Sequence, residues 1–173
     1  MGATQTDREA ELITDSKGRQ RRKLRLNSID EALAEAERLA AAERGGRLKQ
    51  LGNWTLGQVL GHLATWAEFA FEGYPSVVQA PLPVRVILRL LRNRILNKGM
   101  MAGVRIGKVP EGTLGTEPVA IDEGLRRYRA AMQRLRSTSP SMINPAFGRL
   151  THEQWILLNL RHSELHMSFL LPK

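Results

Sequence analysis

His162 and His166 stand four residues apart in Trp155-Ile-Leu-Leu-Asn-Leu-Arg-His-Ser-Glu-Leu-His-Met-Ser-Phe169, a stretch that reads as helix. Residues at i and i+4 share a helix face with Cβ atoms roughly 5–6 Å apart, so both imidazoles can reach one metal ion. His62 lies in a second apolar, helical stretch far earlier in the chain. A third imidazole from a facing helix completes a three-nitrogen set with an open fourth position, the arrangement of catalytic zinc sites. Burying an unpartnered polar ring costs roughly 1–3 kcal/mol, and one shared ion satisfies all three rings at once. The rival reading keeps each ring as a separately hydrogen-bonded core residue in a metal-free binding or scaffold module.

Helical spacing puts Trp155, Asn159 and Phe169 on the face of His162 and His166, and Gln58 and Trp66 beside His62. These side chains are expected to line a pocket or to orient the imidazoles, with ordinary core packing as the alternative for the aromatics. His152 follows the N-cap Thr151 and is expected to point into solvent, outside the ligand set. Glu164, two residues after His162, projects from a different helix face and is expected to make a surface or inter-subunit contact. A zincin helix needs Glu directly after the first His, and a di-iron bundle needs Glu three residues before it. Neither pattern is present, and the phosphate-cradling, dinucleotide and nucleophile-elbow motifs are absent as well.

The elements that must carry these residues are marked by capping patterns. Ser28-Ile-Asp-Glu31, Thr55-Leu-Gly-Gln58 and Thr151-His-Glu-Gln154 are capping boxes. The first opens a helix ending near Gly45-Gly46, the second a helix through His62 that stops before Gly73, and the third a helix running to about Leu170. Asp122–Arg136 forms another helix through Leu125, Tyr128, Met132 and Leu135. The proline-rich connection from Gly73 to Glu117 contains a basic amphipathic helix over 84–98, with Arg85, Arg89 and Arg92 opposite Ile87, Leu88, Leu91 and Ile95. No segment alternates as a strand. The chain therefore reads as all-α: a four-helix bundle with a long crossover between helices 2 and 3 that carries an accessory helix. Residues 1–22 read as a mobile tail and 23–173 as one domain.

The 173 residues suit a single domain with a full core, and 42% apolar with 25% charged residues is an ordinary soluble composition. Without cysteine, a metal site must use nitrogen and oxygen ligands, and a reducing cytoplasm is the expected compartment. No stretch approaches the roughly 18 apolar residues of a membrane span. Arg21-Arg22 is followed by Lys23-Leu-Arg-Leu-Asn27 rather than an apolar run, so no export signal is expected. Twenty-six basic against 17 acidic residues give a net charge of +9. The surplus concentrates at 17–25 and in the 84–98 helix, where the alternatives are solvated arginines and docking on nucleic acid or an anionic membrane.

Two segments carry a family resemblance: Asn53-Trp-Thr-Leu-Gly-Gln-Val-Leu-Gly-His-Leu63, and Leu150-Thr-His-Glu-Gln-Trp155 through Arg161-His-Ser-Glu-Leu-His-Met-Ser-Phe-Leu170. They resemble the DinB/YfiT-like superfamily of metalloenzymes, in a branch that is a domain of unknown function. Weaker support comes from Arg22–Ser28 and from Gly99-Met-Met-Ala-Gly103. The resemblance implies a four-helix bundle whose divalent ion, often zinc or nickel, is held at the positions of His62, His162 and His166. It also implies homodimers and, for some relatives, transfer chemistry dependent on a small thiol. For this branch it leaves the small-molecule substrate and the reaction, transferase or hydrolase, open.

Overall fold

Side-chain caps set where three helices begin. The computed structural model describes residues 11–15, 18–107, 109 and 112–173. Thr55 and Thr151 each form both halves of a capping box, with Gln58 and Gln154, and open α2 (Leu56–Glu72) and α5 (His152–Met167). Ser28 opens α1 (Ile29–Arg44) by accepting from the Glu31 amide. Glu31 bonds the amide of Asn27 rather than that of Ser28, so the reciprocal half of that box is displaced by one residue. Two further helices, α3 (Leu82–Lys98) and α4 (Ile121–Ser137), complete the α-helices of the described residues, and a single 3-10 turn lies at Ser76–Val78.

The expectation of an all-α chain needs correction. The protein is mostly helical but carries two small antiparallel strand pairs. β1 (Leu12–Thr14) pairs with β2 (Gln20–Arg22), and β3 (Leu48–Gln50) with β4 (Leu170–Pro172). Three-residue strands are too short to display the period-two alternation that betrays a strand in sequence. β4 also replaces the final turn expected of the last helix, which stops at Met167.

β1 and β2 fall within the stretch read as a mobile tail, of which residues 1–10, 16 and 17 lie outside the described residues. Arg22 is buried there, donating to Glu35 on α1 at 2.6 Å and to the Met167 carbonyl at 3.0 Å. A cation at the last turn of α5 suits the negative end of that helix dipole. The contact fixes the chain before α1 against the helix that carries two of the histidines.

The core gathers one face of each of four helices: Ala32, Ala36, Leu39 and Ala40 from α1, Leu56, Val59, Leu60 and Leu63 from α2, Leu125, Tyr128, Met132 and Leu135 from α4, and Trp155, Leu158, Leu160 and Met167 from α5. Small residues let α2 and α4 approach closely. A methyl group on Gly57 would overlap the Val119 carbonyl oxygen, and one on Gly124 would stand 3.1 Å from the Gly57 carbonyl.

Two side chains on α5 depart from expectation. Glu164 does not face a surface or a partner subunit; it is buried, accepting from the Leu26 amide at 2.7 Å and pairing with Arg161, which in turn donates to the Leu26 carbonyl at 3.0 Å. The segment leading into α1 crosses this face of α5, and its backbone amide and carbonyl need partners. His152 does not point into solvent either. Its Nε2 donates to the Leu135 carbonyl at 2.6 Å, satisfying one of the carbonyls left free in the last turn of α4.

α3 is turned differently from the amphipathic reading of its sequence. Leu88 and Ile95 pack inward as expected, joined by Leu96, and Arg85 and Arg92 are half-buried beside them. Ile87 and Leu91, expected to be covered, are exposed. Arg92 reaches inward to the Arg149 carbonyl at 3.1 Å, so the basic stripe lies partly against the body of the protein.

Candidate metal centre

α2 presents His62 and α5 presents His162 and His166 to the same point. The ligand nitrogens of the three rings all lie within 4.8 Å of one another, and Nε2 of His62 is 3.1 Å from Nε2 of His162. Nitrogens bound tetrahedrally at the usual zinc distance stand about 3.3 Å apart. Closing the set around an ion therefore asks for side-chain adjustment without helix movement. His62 is buried, whereas His162 and His166 are partly accessible.

The rings are held in the form a metal needs. Nδ1–H of His62 donates to the Leu114 carbonyl at 2.7 Å, which leaves Nε2 as the free lone pair. Burial pushes the His62 pKa down to about 4, against the opposing pull of the Leu114 bond and Glu117. His162 and His166 are held well below the ordinary imidazole value, first by burial and then by the neighbouring rings. All three are neutral at pH 7.

Of the residues expected around the histidines, Trp66 lies closest to them. Its ring centroid is 6.0 Å from those of His62 and His162, and its Nε1–H donates to the same Leu114 carbonyl at 3.2 Å. Gln58 acts one step further out. Its amide donates to the Thr116 carbonyl at 2.8 Å, anchoring the turn that presents Leu114. Asn159 donates to the Trp155 carbonyl within α5, and Trp155 is fully buried in the core. Phe169 lies past the helix end, against Gly52 and under Arg19.

Two participants escaped the sequence reading. Trp54 lies flat on His166, with centroids 5.0 Å apart and planes 13° from parallel, and its ring is 4.9 Å from His62. Its position just before the N-cap Thr55 is the available signal, since a large apolar residue there commonly folds back over the first turns of the helix. The Leu114 carbonyl had no signal at all, because a backbone group in a loop leaves no mark in residue type.

The sequence model of a family described as "Protein of unknown function (DUF1569)" matches residues 18–173. The chain belongs to the DUF1569 family. No curated protein and no solved structure matches it. The DUF1569 match spans all three histidines and begins two residues before β2, so it takes in the strand that carries Arg22.

Proposed function

We propose that this DUF1569 protein is a metalloenzyme of the DinB/YfiT-like kind. In this reading α1, α2, α4 and α5 form the four-helix bundle, α3 is the accessory helix of the crossover, and the ligands of one divalent ion, zinc or nickel, are His62, His162 and His166. The observation that carries it is the convergence of three neutral imidazoles from two helices within 4.8 Å. The paired histidine motifs that resemble that superfamily supply the same three positions.

An ion bound there supplies Lewis acidity and lowers the pKa of whatever occupies its remaining position, a water or a substrate thiol. The protein's own part is positional. Leu114 fixes the tautomer and ring angle of His62, and Trp54 and Trp66 wall the centre with apolar surface. The reaction class that fits is transfer to, or hydrolysis by, an activated thiol or water.

One feature favours the metal-free alternative. The 3.1 Å contact between the Nε2 atoms of His62 and His162 is also a satisfactory hydrogen bond between two neutral imidazoles. Elemental analysis of untagged protein purified without chelator separates the two. About one ion per chain in the wild type, lost in His162→Ala, is the expected result. Metal-free wild type that also fails to take up added zinc or nickel would overturn the assignment.

A further inference from the structure

The outward side of α3 is apolar. Leu82, Val86 and Leu90, at successive i, i+4 positions, are 66%, 48% and 80% exposed, and Ile87 and Leu91 extend the same side. Most of the large apolar side chains exposed among the described residues belong to this helix. Contiguous exposed apolar surface of this kind marks a site of interaction rather than ordinary surface composition.

The charge on the same element selects the occupant. α3 holds Arg85, Arg89, Arg92, Arg94 and Lys98 and no acidic residue. Arg94 and Lys98 are exposed on the outward side, bordering Leu90 and Leu91. Beside the helix, the exposed Arg89 and Arg149 line a cleft of about 430 Å³. A second copy of the chain pairing through this face would bring the exposed Arg94 and Lys98 of each copy onto a surface that offers no acidic partner. A nucleic-acid backbone would satisfy the cations but leave the five apolar side chains in water. An anionic lipid surface answers both, taking the apolar face below its headgroups and pairing its phosphates with the exposed Arg89, Arg94 and Lys98.

We infer that α3 docks the protein on the surface of an anionic bilayer, with Leu82, Val86 and Leu90 entering the interface and the arginine cleft receiving a lipid phosphate. The docking is peripheral, since no helix of the described residues is long and apolar enough to cross a membrane. It is independent of the metal centre.

Flotation of the full chain with vesicles tests this. The expected result is binding to phosphatidylcholine mixed with phosphatidylglycerol, little binding to phosphatidylcholine alone, and weakening as salt rises. Leu90→Asp, at a side chain too exposed to support the fold, abolishes binding with an unchanged circular dichroism spectrum. Arg94→Gln and Lys98→Gln each weaken it about fivefold. Failure to float with the anionic vesicles overturns the proposal, as does flotation undiminished by Leu90→Asp. A dimer dissociated by Leu90→Asp, or binding to duplex DNA, in place of vesicle binding, would assign the face to a second copy or to nucleic acid instead.

Discussion

The Leu114 carbonyl accepts from both His62 Nδ1–H and Trp66 Nε1–H, at 2.7 and 3.2 Å. One backbone oxygen in the connection between α3 and α4 thus fixes a ring on α2 and the tryptophan one turn further along it. The turn that presents this oxygen depends on Gly115, whose φ of 75° disfavours any other residue and whose Cα faces the Thr65 side chain; an added Cβ would stand 2.9 Å from Thr65.

Gly115→Val should therefore move the Leu114 carbonyl away from His62 without touching a ligand. Groups that orient a metal-bound imidazole typically account for 10- to 100-fold in affinity. Calorimetric titration with zinc is expected to show a loss within that range while the helical signal is retained. Unchanged affinity would mean that His62 is oriented by packing alone.

The depressed pKa of His62 makes the metal-free protein sensitive to acid. In the unfolded chain the imidazole takes up a proton near pH 6.5, and in the folded chain only near pH 4. Between those values the unfolded state binds more protons, so stability is complete above about pH 6.5 and falls as pH drops toward 4. The part due to His62 is on the order of 3 kcal/mol at the lower limit. Urea midpoints measured across this window should fall with pH in the wild type and fall less in His62→Gln. A slope that His62→Gln leaves intact would place its origin in other groups.

The parts of the fold that sequence foretold are those written in local chemistry. Thr55-Leu-Gly-Gln58 and Thr151-His-Glu-Gln154 fix two helix starts through bonds spanning three residues, and both form as read. The meeting of His62 with His162 and His166 was legible because apolar surroundings leave three polar rings few partners. The strands were not legible: Leu48–Gln50 has a partner only because Leu170–Pro172 arrives from the other end of the chain. The orientation of α3 was hidden for a related reason. Its two sides are both rich in leucine and arginine, so periodicity alone does not say which side meets the body. Trp54 reads as one more aromatic until folding lays it on His166.

The fate of Glu164 shows the same limit and supplies a stability test. In sequence it is a carboxylate off the histidine face of α5. In the structure it pairs with the buried Arg161, and the two residues together hold both the amide and the carbonyl of Leu26. Glu164→Ala strips the charge partner from a buried guanidinium and orphans a backbone amide. Breaking a buried ion pair from one side costs roughly 3–5 kcal/mol, whereas replacing both partners by apolar residues of similar volume is often far milder. Thermal unfolding is expected to show a large drop in Tm for Glu164→Ala and a smaller one for the double variant Arg161→Met with Glu164→Leu. Were the drop in the double variant as large as that of Glu164→Ala or larger, the two residues would be acting chiefly as separate anchors of the Leu26 backbone rather than as a mutually neutralising unit.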